Sequence, residues 1–432
     1  MPYRNSPECT LAELDIFSQP MTQLSIENKT YTEILPVTAL TSRGPIEFFI
    51  PGDGEKYLDL NDTLLHIRLK ITRNDGQDLE DNAPVSLINY PLNTLFSQCD
   101  VILGDRLISQ SSATHPYRAM IETLLNYSED TLKSQFSAGL FYKDTAGAMD
   151  SVALNGENQG FRSRAALCRN SREVHLLGPL HADVFFCERL LLNSVDLRIK
   201  LTRTSDDFSL MAPADSNYRL NILGASLFIK KSRVSPAVRL GHAAALQKAN
   251  ALYPLSRVVV KTFSIPAQSR ICNHENLFLG AVPKYIVLGM VHHDAFTGRK
   301  NMNPFNFLHN DIEYLALCQD GRQVPAKAFQ PQFDQGISVR EFYGLFTATG
   351  RHLKDLPLSI TREDFNEGYS LFVFNLDPCE DGDVLSPSSS GNLRLEMRFR
   401  QPLPVTTTLV VYACYSTILE VNSKREVLVD YY

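Results

Sequence analysis

Residues 89–127 read NYPLNTLFSQCDVILGDRLISQSSATHPYRAMIETLLNY, and a similar pattern returns later in the chain. In order, this stretch predicts a turn, a β-strand, a second turn and a short amphipathic helix. The second copy starts at Asn303 as NPFNFLHNDIEYLALCQDGRQVP and resumes at Ile337 as ISVREFYGLFTATG. The matched positions are Pro91, Asn93 and Leu95 with Pro304, Asn306 and Leu308, Gly104–Arg106 with Asp320–Arg322, and Arg118 with Arg340.

The distance between the copies is that of a whole domain. Pro304 follows Pro91 by 213 residues, and Arg340 follows Arg118 by 222 residues. Solenoid repeats have periods of roughly 20–50 residues, so these copies belong to a larger unit. We therefore predict one fold that is present twice in the chain.

The two copies differ by one large insertion. The segment NLRLEMRF at 392–399 follows its match DLRIKLTR at 196–203 by only 196 residues. The offset between matched residues is 222 at the helix and 196 at this strand. The first half therefore carries 26 extra residues between the helix and the strand. That interval contains residues 137–172, which are rich in Gly, Ser, Asn and Ala and show little apolar periodicity. We expect this segment to run over the surface, as an outward tower or a contact between subunits.

The composition is that of a globular chain. The 432 residues are 44% hydrophobic and 21% charged, and the length fits two all-β domains of roughly 200 residues each. No apolar run reaches the ~20 residues of a membrane-spanning helix, and the first residues show no secretory signal. The net charge of −6 argues against nucleic-acid wrapping as the main task, because phosphate binding needs Lys and Arg. The eight cysteines are scattered without a C-x-x-C pair, which favours buried thiols in a reducing compartment.

Alternating apolar and polar residues predict strands with one buried face. Leu65, Ile67, Leu69 and Ile71 alternate with polar residues, and the matched segments at 196–203 and 392–399 show the same period of two. Many short strands separated by turn signals, without alternating helices, indicate an all-β sandwich or barrel. Jelly rolls belong to this class and serve both viral capsids and cupin enzymes. The choice of function therefore lies between a shell protein and an enzyme.

The chain divides into four predicted regions. Residues 1–25 are polar and form an extended N-terminal arm, and residues 26–233 form a first jelly roll with the long surface loop at about 137–172. Residues 234–250 are Ala-rich with Pro236 near their start, which predicts a linker helix. Residues 251–432 form a second jelly roll.

A metal site of the cupin kind is weakly supported. Such a site usually starts from two histidines one residue apart on a strand, and no two of the ten histidines have that spacing. His292 and His293 are adjacent and therefore point to opposite faces of a strand, and Asp294 follows them. We interpret the trio as a polar patch at a strand end, with a metal site as the less favoured interpretation.

Other charged segments favour ordinary surface roles. The acidic loop Asp377–Asp383 resembles a calcium loop only in part, because Cys379 and Ser388 stand where oxygen ligands are needed. The basic clusters Lys230–Arg233 and Arg162–Arg172 are interpreted as solvated surface, with contact to a neighbouring subunit or to nucleic acid as the alternative. Nucleophile-elbow, zinc-protease, P-loop and dinucleotide motifs are absent from the sequence. Tyr431 and Tyr432 are the last two residues. We interpret them either as an anchor that contacts a neighbouring subunit or as a frayed tail.

Three stretches carry a resemblance to a known family. They are ELDIFSQPMTQLSIEN, GPIEFFIPGDGEKYLDLNDTLLHIRLKI and the final ILEVNSKREVLVDYY. From near residue 13 to its end, the chain resembles the major capsid protein of Maverick/Polinton elements and related adintovirus-like viruses. The resemblance implies a double jelly roll, that is, two similar eight-stranded antiparallel sandwiches in tandem, with short helices in loops and a linker helix.

The same resemblance implies a structural role. It implies homotrimers that act as pseudo-hexameric capsomers and tile an icosahedral shell around double-stranded DNA. The implied partners are neighbouring capsomers, a penton (minor capsid) protein and cement proteins, with no sequence-specific nucleic acid and no membrane span. The implied location is the virion capsid, after synthesis in the host cytoplasm and assembly in the nucleus. It implies no catalytic, cofactor-binding or metal-binding residues.

The sequence therefore leaves three hypotheses for the function. The first is the non-enzymatic capsid protein, in which the arm reaches beneath or between subunits. The second is a bicupin-like metalloenzyme, based on the shared architecture and His292–Asp294. The third is a carbohydrate-binding sandwich, which is disfavoured because the chain has 17 Tyr but no Trp to stack on sugars.

Overall fold

The computed structural model describes residues 12–40, 44–377, 387 and 389–429. The strands of the first half are β1 (Ile26–Ile34), β2 (Ile46–Ile50), β3 (Lys56–Arg73), β4 (Ser86–Leu87), β5 (Phe96–Leu103), β6 (Arg106–Leu107), β7 (Val174–Pro179), β8 (Leu197–Arg203), β9 (Leu210–Met211) and β10 (Tyr218–Val234). The strands of the second half are β11 (Ala251–Ile265), β12 (Ile271–His274), β13 (Tyr285–His292), β14 (Ile312–Gln319), β15 (Arg322–Phe329), β16 (Leu371–Asn375), β17 (Leu393–Phe399), β18 (Thr407–Val421) and β19 (Val427–Val429).

The helices are short and lie mainly in the connections between strands. The α-helices are α1 (Pro91–Thr94), α2 (His115–Asn126), α3 (Glu129–Ser134), α4 (Gln159–Cys168), α5 (Asp206–Ser209), α6 (Pro236–Leu246), α7 (His293–Thr297), α8 (Val339–Ala348) and α9 (Arg362–Asn366). The 3-10 helices are Ala12–Leu14, Gln135–Gly139, Arg169–Ser171, Asp183–Phe186 and Phe333–Gln335.

Both halves have the same sheet topology. The first half pairs its strands in the orders β1-β10-β3-β7 and β2-β8-β5-β6, and the second half uses β11-β18-β13-β16 and β12-β17-β14-β15. If the eight main strands of each half are numbered in chain order, both halves read 1-8-3-6 and 2-7-4-5. All these pairs are antiparallel, as in a jelly roll. The prediction of two similar eight-stranded sandwiches is confirmed.

The sequence repeat corresponds to equivalent elements. The hairpin β5–β6 turns at Gly104–Asp105, and the hairpin β14–β15 turns at Asp320–Gly321. The backbone of Gly104, Asp320 and Gly321 has positive φ, which Gly and Asp tolerate best in such tight turns. Helix α2 follows the first hairpin and α8 follows the second. Strands β8 and β17 occupy the same place in their sandwiches.

The apolar residues that alternate along the sequence of β3 are also the buried ones. Leu65, Ile67, Leu69 and Ile71 are each at most 1% exposed, and they face the space between the two sheets of the first half. Each side chain of this size contributes about 1.5–3 kcal/mol when it leaves water, so a slip by one residue would be costly. The linker helix is confirmed as α6, which buries only Leu246.

Residues 137–172, which we name the clasp segment, differ from the expected surface excursion. Phe141, Met149, Phe161 and Cys168 are at most 3% exposed, and the segment includes α4. The expectation of a surface loop is therefore wrong for much of this segment. The apolar residues are widely spaced because they pack on several elements, including elements of the second half, and so they leave no regular period.

Candidate assembly surfaces and the junction of the halves

A buried charged cluster lies where the two halves meet. Arg118 on α2 donates from Nε to Glu122 Oε1 over 2.9 Å and from Nη2 to Asp183 Oδ1 over 2.6 Å. The imidazole Nδ1 of His181 lies 2.6 Å from Glu122 Oε2. All four side chains belong to residues that are at most 7% exposed. Arg118 and Glu122 are four residues apart on one helix, so the sequence places them on the same face.

The second half supplies partners to this cluster. The backbone N–H of Val258, on β11, donates to Asp183 Oδ1 over 3.2 Å. The hydroxyl of Tyr412, on β18, donates to Glu122 Oε1 over 3.3 Å. The cluster therefore depends on both halves being folded together, because either half alone would leave buried charges incompletely paired.

Burial and the guanidinium set the ionisation of the cluster. Burial alone would raise the pKa of Glu122, but Arg118 and the hydrogen bond with His181 lower it to about 2. Burial raises the pKa of Asp183, and Arg118 only partly opposes that rise. Burial, assisted by the charge of Arg118, lowers the pKa of the nearby His115 to about 3. The cluster thus favours a charged Glu122–Arg118 pair at neutral pH.

The clasp segment is organised by a second buried ion pair. Arg164 Nη2 donates to Asp144 Oδ1 over 2.8 Å, and both side chains are at most 1% exposed. The same guanidinium donates to the carbonyl oxygens of Leu87 over 2.9 Å and Tyr142 over 2.7 Å. Every branch of Arg164 therefore has an acceptor, which is the condition under which a buried charge is tolerated.

The other side of Asp144 faces the second half. Asn303 Nδ2 donates to Asp144 Oδ2 over 3.0 Å, and the Tyr369 hydroxyl donates to the Asp144 carbonyl over 2.7 Å. Lys143 Nζ lies 2.5 Å from Asp364 Oδ2 on α9. These contacts show that the clasp segment joins the two halves within one chain. The sequence-based prediction missed this, although Phe161, Arg164, Ala165 and Cys168 follow the i, i+3, i+4, i+7 spacing of one helix face.

The trio His292–Asp294 makes local contacts at the end of β13. His292 Nδ1 accepts the backbone N–H of Asp294 over 3.1 Å, and His293 Nδ1 lies 3.0 Å from Thr408 Oγ1. Asp294 pairs with Arg299 over 3.0 Å. In the described ranges, no three His, Cys, Asp or Glu side chains converge as metal ligands would. This geometry agrees with a strand-end polar patch and lends no support to a bicupin centre.

The basic cluster Lys230–Arg233 is largely paired with acids on neighbouring strands. Lys230 contacts the carboxylate of Asp62. Arg233 lies 3.4 Å from both Glu27 and Glu55. Because these cations already have acidic partners, they offer less free positive charge to a phosphate.

The second basic cluster, Arg162–Arg172, is divided between core and surface. Arg164 is the buried residue of the clasp segment, whereas Arg162 is exposed and Arg169 pairs with Asp81. The acidic loop beyond Asp377 and the final Tyr431 and Tyr432 lie outside the described residues.

The N-terminal arm exposes an unusual run of large apolar side chains. Their exposed fractions range from 68% to fully exposed, and the residues are Leu14, Ile16, Phe17, Met21 and Leu24. Large exposed apolar segments on a soluble protein commonly mark contacts with another molecule. The arm is therefore a candidate assembly element.

An apolar groove lies at the base of this arm. We name it the linker groove, because α6 forms one wall and the start of β11 forms another. It has a volume of about 620 Å³. Its lining includes Ile26, Tyr57, Leu190, Val238 and Leu252. The groove is large enough to receive several apolar side chains.

Comparisons with known proteins identify a similar sequence and several structures of the same architecture. The chain is 22% identical over 426 residues to an uncharacterized protein of Caenorhabditis elegans, a match that covers 95% of this chain and 99% of that protein. No family model matches the chain. Among solved structures, it is similar to a chain of the PBCV-1 virus capsid, with a TM-score of 0.62, 11% identity, and coverage of 96% of this chain and 99% of that one. The chain has the double jelly-roll fold.

Two further structures share this double jelly roll. A chain of the Sputnik virophage matches with a TM-score of 0.62 and 13% identity, covering 99% of this chain and 93% of that one. The Faustovirus major capsid protein matches with a TM-score of 0.59 and 10% identity, covering 94% of this chain and 92% of that one. In the residues that the structure describes, no helix is both long and apolar enough to cross a membrane.

Proposed function

We propose that this chain is a structural virion protein, a double jelly-roll major capsid protein with no catalytic role. The observation that carries the proposal is the identical eight-strand order of the two halves, which are joined within one chain by hydrogen bonds from the second half to buried carboxylates of the first. The likeness to viral capsid chains over almost the whole length supports it. The Maverick/Polinton and adintovirus-like assignment belongs to the same proposal and rests on the three sequence stretches that carry the resemblance.

The geometry favours assembly in threes. Three copies of a chain with two similar sandwiches present six similar sides, which is the shape of a pseudo-hexameric capsomer. Strands β1, β7, β12 and β15 end their sheets and offer backbone groups to a neighbour. Closed symmetric assembly covers such edges, which otherwise promote aggregation. Capsomers of this shape tile an icosahedral shell around double-stranded DNA.

The proposal assigns a structural role to each region of the chain. Residues 26–233 and 251–432 are the two jelly rolls, residues 234–250 are the linker, and residues 1–25 are an arm between subunits. The partners are a homotrimer, neighbouring capsomers, a penton protein and cement proteins. The site is the virion capsid, built in the nucleus after synthesis in the cytoplasm.

The test is the mass of the purified protein in solution, with metal analysis of the same peak. Size-exclusion chromatography with light scattering should give a metal-free species near three times 48.5 kDa. Electron microscopy of concentrated samples should then show capsomers or shell-like particles. A chain that stays monomeric at high concentration and forms no particles would contradict the proposal. One metal ion per monomer would instead support the bicupin-like enzyme.

A further inference from the structure

We propose that the linker groove binds the N-terminal arm of a second copy of this chain. The inference rests on the proposed function, because it names the contact that would join neighbouring subunits. It depends on three features of the described residues: an apolar arm with nothing packed on it, an apolar groove at the arm's base, and opposite charge on the two.

The arm is held outward at its base. The side chain of Gln23 accepts the N–H of Ile26 over 2.7 Å and donates to the carbonyl of Ile26 over 3.1 Å. The carbonyl of Ser25 accepts the N–H of Ser235 over 2.9 Å. These bonds fix the direction in which the chain leaves β1. Residues 14–24 then extend into solvent, with Phe17 93% exposed.

The base of the arm forms part of the groove rim. Ser25 and Ile26 line the groove together with α6 and β11. In the described part of the chain, the lining contains no residue before Ser25, so the arm does not fill the groove of its own chain. The proposal places the arm in the groove of a neighbouring copy instead. If each arm enters the next groove, the contact is head-to-tail, and three such contacts close the ring of the proposed trimer.

The charges of the two surfaces are complementary. Glu13 and Asp15 lie in the arm, and the sequence has no Lys or Arg from residue 5 to residue 28. The groove is lined by Arg189, and Arg239 lies on the same helix as its wall residue Val238. Arg189 gives the groove a cationic group, so an occupant that carries Glu13 and Asp15 fits it.

The test uses the full-length chain in two isotopic forms, heavy and light, each carrying a photoreactive residue in place of Phe17. After mixing, irradiation and digestion, mass spectrometry should find cross-links that join a heavy arm to the light chain's α6 or to residues 249–253. Leu252→Asp, at a groove residue that is 45% exposed, should reduce the yield at least tenfold. The control is Leu279→Asp, which changes a 73% exposed leucine outside the groove and should leave the yield unchanged.

A second variant keeps the test decisive if Leu252→Asp does not fold. Ile16→Asp changes only the exposed arm and should give the same tenfold loss. Cross-links that stay within one chain, or that avoid the groove, would overturn the inference. A trimer without arm-to-groove cross-links would count against this inference alone, whereas a permanent monomer would count against the proposed function.

Discussion

At the scale of single residues, two buried arginines carry much of the specificity of the molecule. Arg118 joins two carboxylates from different segments, and Arg164 joins Asp144 to two backbone carbonyls. A buried ion pair adds little net stability over an apolar replacement, but it is costly to break. The carboxylates that they hold also select one arrangement of the two halves, because a wrong arrangement would leave Glu122, Asp183 and Asp144 without the hydrogen bonds that the second half donates.

Replacing Arg164 with Met should destabilise the protein by about 3–5 kcal/mol, because Asp144 would stay buried without its cation. The measurement is the free energy of unfolding from urea titration. Arg162→Met is the matched control, since Arg162 lies on the same helix but is exposed. Equal stability of the two variants would show that the ion pair is dispensable.

The Glu122 carboxylate should make the protein sensitive to acid. Its folded-state pKa is lowered from 4.5 to about 2, so its stabilising contribution is present above pH 4.5 and is lost as the pH falls towards 2. The loss is on the order of 3 kcal/mol. Asp183, whose pKa is raised by burial, acts in the opposite sense, so the comparison must be made on a Glu122 variant.

Urea titrations at pH 6, 4 and 3 on Glu122→Gln and the unaltered chain provide this comparison. The variant should be less stable at pH 6 and should lose less stability on acidification. Glu157→Gln, at an exposed position, should follow the unaltered chain. An unchanged pH slope in Glu122→Gln would rule out this role for the carboxylate.

Residue patterns also show what a sequence can reveal. The buried face of β3 could be predicted, because each apolar residue of Leu65–Ile71 alternates with a polar one. Arg164 could not, because an arginine in a polar segment is normally solvated and its acceptors lie 20 and 77 residues away in the chain. Only the helical spacing of Phe161, Ala165 and Cys168 gave a signal.

At the scale of elements, the strands could be predicted better than the connections. The positions of the strands follow from the alternation of apolar residues, which acts over a few residues, and from the internal repeat. The clasp segment packs on partners such as Asn303 and Tyr369, more than 140 residues later. Composition alone indicates a loop there, and the packing depends on surfaces that exist only after folding.

Replacement of residues 147–160 by a Gly-Ser linker of equal length should destabilise the folded chain. It removes the buried Met149 and the contacts of Asp150 with Asn303 and Asn306, for an expected loss of about 3 kcal/mol or more. A second linker that retains Met149, Asp150 and Asn158 should recover much of the loss. Thermal unfolding followed by circular dichroism measures both. A melting temperature unchanged by the first replacement would show that the segment lies on the surface and does not contribute to the core.

At the scale of the whole molecule, the junction makes the two sandwiches one unit. Glu122, Asp183 and Asp144 each accept hydrogen bonds from the second half. Neither half can therefore unfold without exposing or unpairing charges in the other. The sequence predicted two similar domains, but it did not show that they depend on each other.

Calorimetry should accordingly show a single unfolding transition whose calorimetric enthalpy equals its van't Hoff enthalpy. Arg118→Met should weaken this coupling, because it removes the cation that joins Glu122 and Asp183. Its expected signature is a calorimetric enthalpy larger than the van't Hoff enthalpy. Two separate transitions in the unaltered chain would mean that the sandwiches are independent.

The clasp segment also constrains the order of events during translation. Asp144 and Arg164 leave the ribosome well before Asn303 and Tyr369, and the last junction partner, Tyr412, follows Arg164 by 248 residues. At roughly 5–20 residues per second, that interval lasts about 12–50 s. Throughout it, the nascent first half presents an incomplete apolar and charged face. The nascent first half is therefore the stage of synthesis at which the chain is most exposed to aggregation.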